Sequence, residues 1–176
     1  MKKGLLTFAI LIATVFSLSA QSVAVGPQIG FIKTKDADKA TIMPAAAIRL
    51  DLIGLGVEGS IGYKAEEFSN GQIKTTSYPI LLTGMLNVFP FVHAEAGIGW
   101  YNIKINYSNT LGIEDETNQE IGYHLGAGAA IPLGNILLTG DFRYVFLKTD
   151  FSKVSSSVES LKSDYYTVSI GLLFNL

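Results

Sequence analysis

The sequence contains no cysteine. Disulfides, thiolate metal sites and cysteine nucleophiles are therefore excluded, and hydrogen bonds and burial alone must hold the folded chain together. Charged residues are also scarce, at 16%, and the formal net charge is only −2. Because no basic stripe is present to neutralise phosphates, the composition argues against a nucleic-acid partner.

Long apolar runs are missing after Ala20, although hydrophobic residues make up 48% of the chain. No stretch of the remaining sequence is long enough to cross a bilayer as a helix. Glycine is abundant instead, at 18 residues. Apolar residues that are spread in alternation, with much glycine between them, favour a β-barrel that faces lipid.

The first twenty residues have the organisation of a secretory signal. Two lysines precede an apolar run at residues 5–16, and the segment ends on the small residue Ala20. The run is too short for a convincing membrane helix, so a membrane anchor is the weaker interpretation. We predict a signal peptide at residues 1–20 and a single outer-membrane β-barrel domain at residues 21–176.

The mature protein is then expected to begin at Gln21. Intact-mass measurement on outer-membrane material tests this expectation directly. A species that keeps residues 1–20 would identify the segment as an anchor instead.

Apolar and polar residues alternate with period two along most of the mature chain, whereas helical periodicity is hard to find. The alternation predicts eight strands of about ten residues, the length that a tilted strand needs to cross a bilayer. We predict an all-β, eight-stranded, antiparallel up-and-down transmembrane barrel. Its strands are expected near residues 22–32, 42–52, 55–64, 77–86, 91–101, 122–131, 138–146 and 166–176.

The predicted connections alternate between short and long. Short turns fall near residues 53–54, 87–90 and 132–135, and long polar loops near residues 33–41, 65–76, 105–120 and 149–164. All short turns therefore lie at one end of the barrel and all long loops at the other. Outer-membrane barrels have this asymmetry, with the turns in the periplasm and the loops outside.

Alternation alone does not say whether the apolar face meets lipid or a soluble core, as in a secreted lipocalin. Two observations favour lipid. The polar face is mostly Gly, Ala, Ser and Thr, which suit the crowded interior of a narrow barrel. The apolar face also has aromatic residues near the strand ends, as an interfacial girdle would: Tyr63, Tyr78, Trp100, Tyr123, Tyr144, Phe146 and Tyr166.

Pro27 lies in the middle of the first predicted strand, where a closed barrel has no free edge to accept a residue that lacks an N–H group. The sequence therefore predicts a β-bulge at this position. Pro44 and Pro79 lie nearer the loop side of their strands.

Three segments resemble a known family. They are Val25 to Phe31 (VGPQIGF), Ser77 to Leu82 (SYPILL) and Gly122 to Pro132 (GYHLGAGAAIP). They look like the small outer-membrane β-barrel family common in Bacteroidetes, often called porin-like or OmpA/OmpX-like. The resemblance covers essentially the whole mature chain and rests on loose patterns. It implies the fold and an outer-membrane location, and it transfers no catalytic residue.

Seven inward-facing residues form the candidate site, and most are placed in the periplasmic half of the lumen by counting from the short turns. Charges buried there must pair, so we predict a network of salt bridges and hydrogen bonds that fills the barrel. A path for protons or ions is the alternative. The predicted lumen charge network consists of Arg49, Asp51, Glu58, His93, Glu95, Asp141 and Arg143.

Evidence for catalysis or metal binding is weak. His124 and Ser60 are the available parts of a lumen enzyme, but no motif surrounds either residue. The acidic residues Glu114, Asp115, Glu116 and Glu120 could attract Ca²⁺, yet their spacing is irregular and a solvated loop is the simpler interpretation. We predict no enzyme activity, no cofactor and no metal site.

The C-terminus has the most position-specific pattern. Ser169, Gly171, Phe174 and Leu176 follow a polar-x-Gly-x-x-hydrophobic-x-hydrophobic spacing at the end of the chain. This resembles the terminal β-signal that barrel-assembly machinery recognises, although many bacterial examples end in Phe. The expected partners are thus outer-membrane lipids and the assembly machinery, with an unknown surface partner at the long loops. The predicted role is structural or surface-interacting, and a narrow channel for ions or small solutes is the alternative.

Overall fold

A computed structural model describes residues 22–34, 41–68, 73–107, 116–149, 161–162 and 164–176. Within these ranges the chain forms β-strands, short turns and extended connections, and no helix is long and apolar enough to cross a membrane. The strand segments are β1 (Ser22–Thr34), β2 (Thr41–Asp51), β3 (Leu55–Gly62), β4 (Lys64–Phe68), β5 (Ile73–Phe89), β6 (Val92–Tyr107), β7 (Glu116–Leu133), β8 (Ile136–Thr149), β9 (Leu161–Lys162) and β10 (Tyr165–Asn175).

The ten described segments make eight crossings of one closed antiparallel sheet. Segments β3 and β4 both pair with β5 and are separated only by Tyr63, so together they form a single crossing. Segments β9 and β10 share the partner β8 in the same way. Closure is direct, because β10 pairs with β8 on one side and with β1 on the other. The predicted eight-stranded barrel is confirmed.

Several strands are longer than the hydrophobic alternation predicts. β5 has 17 residues and β7 has 18, so both extend into segments that were expected to be loop. The reason is that hydrogen bonding between strands continues beyond the lipid, where both faces of a hairpin can be polar and the alternation disappears. Within the four predicted loops, residues 35–40, 69–72, 108–115, 150–160 and 163 lie outside the described residues.

The short turns lie where the sequence places them, at one end of the barrel. Gly54 and Gly134 have φ values of 76° and 65°, which glycine adopts without the steric cost of a Cβ atom. Phe91, in the turn between β5 and β6, also has a positive φ, of 67°. A register shift between Asn87 and Phe89 precedes that turn.

The inward and outward faces agree with the alternation in each of the eight predicted strands, over the residues whose burial is described. Neighbouring residues in β7 illustrate the contrast, because Tyr123 is 62% exposed and His124 is 1% exposed. Outward aromatic residues contact one another near the loop side, as Tyr63 does with Tyr78 and Tyr144 with Tyr166. A sheet that exposes its apolar face and buries its polar face is inverted relative to a soluble barrel.

Pro27 does not produce the predicted bulge, and that prediction is wrong. The register of β1 with β10 is the same before the proline, at Val25 and Phe174, and after it, at Gln28 and Gly171. Pairing with β2 also continues through Pro27. The missing N–H therefore interrupts the β10 ladder only locally, and the exposed ring lies on the outside of the barrel.

Candidate functional site

The lumen of the barrel is layered. Along β8 the buried inward side chains run from the turn end as Leu137, Thr139, Asp141, Arg143 and Val145, so the polar residues of this strand lie between Leu137 and Val145. The loop-side apolar layer consists of Ile32, Met43, Leu81, Tyr101, Val145, Leu147 and Tyr165. A smaller apolar cluster nearer the turns consists of Ala24, Ala47, Leu137 and Leu173.

Arg143 is at the centre of the polar layer. Its Nε and Nη2 atoms donate to the two oxygens of Glu95, each at 3.0 Å, in a bidentate pair. Nη2 also donates to Glu58 Oε1 at 3.0 Å. Arg143 is 3% exposed and Glu58 is fully buried. Because bidentate pairs fix geometry as well as charge, this arginine joins β8 to β6 and β3 across the lumen.

Arg49 binds the other oxygen of Glu58. Its Nε and Nη2 atoms donate to Glu58 Oε2 at 2.9 and 2.6 Å, and Gln28 Nε2 donates to the same oxygen at 3.3 Å. Arg49 Nη2 lies 3.5 Å from Asp141 Oδ1. The two arginines in the sequence therefore share Glu58 between them, and both lie in this polar layer.

Asp141 completes the network through His93, whose Nε2 lies 3.1 Å from Asp141 Oδ1. The structure thus brings together six of the seven residues of the predicted network. The seventh, Asp51, lies half-buried at the turn end of β2 and outside this set of contacts.

Glycines make room for these pairs. In three places two inward side chains reach each other over a glycine on the strand between them. A Cβ on Gly126 would lie 2.7 Å from Glu95 Oε1, so a larger residue would occupy the path of the pair. The three rows are Glu95–Gly126–Arg143, His93–Gly128–Asp141 and Thr83–Gly97–His124.

Replacing Gly126 with alanine is therefore expected to destabilise the barrel by about 1–3 kcal/mol, because the new methyl would overlap both Glu95 and the backbone carbonyl of Phe142. Urea unfolding in detergent micelles, followed by the fluorescence of Trp100, measures this change. The control is Gly140→Ala on the outward face of β8, where a Cβ meets nothing within 4 Å. We expect the control to change stability by less than about 1 kcal/mol. Equal effects of the two substitutions would contradict this account of Gly126.

His124 and Ser60, the two residues considered as parts of an enzyme, have different neighbours in the structure. His124 Nε2 is 2.9 Å from Thr83 Oγ1, and both side chains are buried. Ser60 lines a cavity of about 20 Å³, together with Gln28, Arg143, Thr167 and Ser169. A cavity of this size has room for about one water molecule.

One group within the network has the composition of a metal site. His93, Glu95 and Asp141 each offer a ligand atom, and these atoms lie within 4.8 Å of one another. All three residues are at most 4% exposed. Imidazole and carboxylate ligands suit divalent ions of the first transition row.

Three of the four residues of the predicted assembly signal lie in β10, and Leu176 directly follows it. Ser169 and Gly171 face the lumen, and Phe174 and Leu176 face outward. Phe174 pairs with Val25 of β1 and with Ile136 of β8. The last backbone N–H, that of Leu176, donates to the carbonyl of Val23 at 2.9 Å.

Sequence reasoning missed the uncharged member of the network, Gln28, which donates to Glu58. Gln28 faces inward on a strand that was predicted correctly, but nothing in the pattern indicates which inward amide meets a charge. The glycines of β7 offered a usable signal. Gly126 and Gly128 are inward positions without side chains, flanked in the sheet by strands with inward charges.

Comparison with known proteins agrees with this architecture. The family model of the outer membrane protein beta-barrel domain matches residues 4–174. The chain belongs to this family. Members of this family are located in the outer membrane, so this is an outer-membrane protein. The alternation of apolar and polar residues and the exposed apolar face of the barrel indicate the same location. No curated protein sequence matches the chain significantly.

Solved structures of outer-membrane barrels share the fold of this family member. Ail, the attachment invasion locus protein of Yersinia pestis, superposes with a TM-score of 0.54 at 15% identity, covering 90% of this chain and 99% of Ail. The N-terminal barrel of OprF from Pseudomonas aeruginosa has a TM-score of 0.59 at 12% identity, over 90% of this chain and 99% of that one. A major outer membrane protein from Thermus thermophilus has a TM-score of 0.62 at 13% identity, over 88% and 98%. These similarities show the fold.

Proposed function

We propose that this family member is an integral outer-membrane barrel whose lumen is filled by side chains and whose role is structural or surface-interacting. The observation that carries the proposal is the buried network around Arg143, which spans the lumen through Glu95 and Glu58. An eight-stranded barrel has an interior just wide enough for side chains, so one such network and one apolar layer are sufficient to fill it.

The loop-side apolar layer supports a closed lumen independently of the charges. Tyr101 is 2% exposed and packs against Tyr165 with its ring centroid 6.4 Å away, in an edge-to-face arrangement. An ion that passed this layer would lose its hydration and gain few polar partners, since the layer offers only the hydroxyls of Tyr101 and Tyr165, and this loss is costly. On this proposal the lumen contains two barriers to ions in series, one apolar and one formed by ion pairs.

If the role is surface-interacting, a partner outside the cell is expected to bind the connections between strands. Loops on a rigid scaffold are the usual binding elements. The proposed partners are outer-membrane lipids along the exposed apolar band, the barrel-assembly machinery during insertion, and an unidentified surface partner at the predicted loops. We propose no enzyme activity, which agrees with the pairing of His124 to Thr83 rather than to Ser60.

The expected result in planar lipid bilayers is the absence of stable conductance steps, with at most small, irregular events. A large porin reconstituted in the same way is the positive control, and the heat-unfolded protein is the negative control. Large, stable steps of porin size would contradict the filled lumen. Small, reproducible steps would support the rival function, a narrow channel for ions or small solutes.

A further inference from the structure

The group formed by His93, Glu95 and Asp141 has a spacing that suits a metal ion. His93 Nε2 and Asp141 Oδ1 are 3.1 Å apart. Two ligands of a tetrahedral ion with bonds of about 2.0–2.1 Å lie roughly 3.3 Å from each other. His93 and Glu95 alternate on the same face of β6, and Asp141 reaches them across Gly128.

Asp141 has an oxygen that the network leaves available. Oδ2 is buried and has no hydrogen-bond partner, and its ion pair with Arg143 Nη2 is long, at 3.9 Å. A buried carboxylate oxygen without a partner is costly and calls for an explanation. Gly128 leaves space between His93 and the other oxygen of Asp141, because a Cβ there would lie 2.6 Å from His93 Nε2 and would overlap Asp141 Oδ1.

The network also has a net negative charge, which a bound cation would neutralise. Two arginines face three buried carboxylates, those of Glu58, Glu95 and Asp141, so the formal charge of these five side chains is −1. Half-buried Asp51 adds a further negative charge at the turn end of the same lumen. Buried charge that is not compensated is unfavourable, and a bound cation would compensate it.

We propose that His93, Glu95 and Asp141 form a binding site for a divalent first-row transition metal ion. Imidazole nitrogen with two carboxylates is a ligand set that Zn²⁺ accepts, with water completing four-coordination. The ion competes with Arg143 for one oxygen of Glu95, so metal binding and the ion-pair network are coupled. This site goes beyond the proposed function and does not depend on whether the lumen conducts. It revises the prediction of no metal site.

The test is Zn²⁺ binding to the folded, untagged, metal-free barrel in detergent, measured by competition with a chromophoric chelator. One equivalent is expected to bind. His93→Gln should weaken binding by more than the roughly 10–100-fold that loss of an outer-shell partner costs. His124→Gln is the matched control, because His124 is the other histidine of the chain, is equally buried and lies outside the group.

Each variant is shown to be folded by heat modifiability, which means that it migrates differently on SDS gels before and after boiling. Failure of the unmodified protein to bind Zn²⁺, or equal binding by the His93 and His124 variants, overturns the proposal. If His93→Gln does not fold, X-ray absorption at the zinc edge of the unmodified protein decides instead. Scattering from one imidazole among oxygen ligands supports the site, and a spectrum with no imidazole overturns it.

Discussion

Arg143→Ala is expected to reduce the free energy of unfolding by about 3–5 kcal/mol, the cost of removing one partner from a buried ion pair. The substitution removes both hydrogen bonds to Glu95 and one to Glu58. Glu95 then keeps a negative charge in a site that is 4% exposed. Urea titration of the barrel in micelles, followed by the fluorescence of Trp100, measures the change.

Two controls separate this pairing from a general effect of losing a side chain. Lys33→Ala removes an exposed cation from β1 and should change stability by less than about 0.5 kcal/mol. The double variant Arg143→Ala/Glu95→Gln should recover part of the loss, since it neutralises the carboxylate that the single substitution leaves without its main partner. A loss below about 1 kcal/mol for Arg143→Ala would show that the arginine does not hold the network together.

Deleting residues 174–176 is expected to abolish outer-membrane assembly and to leave the protein degraded or aggregated in the periplasm. The deletion removes the pairs that Phe174 makes with β1 and β8, and the hydrogen bond from Leu176 to Val23. An open edge in lipid leaves backbone groups unsatisfied at several kcal/mol each. The deletion also removes two of the four residues of the proposed assembly signal.

Outer-membrane fractionation with heat modifiability as the readout tests this expectation. Deleting residues 155–157 removes the same number of residues from a predicted loop and should leave assembly intact, because surface loops tolerate changes in length. Phe174→Leu keeps the outward apolar side chain, the backbone pairing and the hydrophobic spacing of the proposed signal, so it should assemble normally. Normal amounts of folded barrel after deletion of 174–176 would show that neither signal nor closure needs these residues.

The sequence alone determined the fold class, the outward face and the membrane. The reason is that a lipid environment requires apolar and polar residues to alternate along every strand. This alternation can be recognised within each strand separately. The ends of the strands were predicted less accurately. β7 begins at Glu116 rather than near Gly122, since hydrogen bonding between strands continues where the hydrophobic pattern has ended.

The charged members of the network could also be named in advance, because an inward charge in a narrow barrel must find a partner. Which charge meets which depended on the tertiary structure. Glu58 lies beside Arg49 in the β2–β3 hairpin, but it also binds Arg143, which is 85 residues away in the sequence. Such a pairing follows from how the closed sheet brings β3 and β8 to face each other across the lumen.

The effect of Pro27 was likewise decided by the assembled barrel. Reading β1 alone predicts a bulge, because a strand without an edge has no place for a missing N–H. In the closed sheet β1 is held by β2 on one side and by β10 on the other, and both registers continue past the proline. Local patterns thus determined which residues face lipid and which face the lumen. Only closure decided which of the inward side chains meet, because contact across a barrel depends on the register of all its strands together.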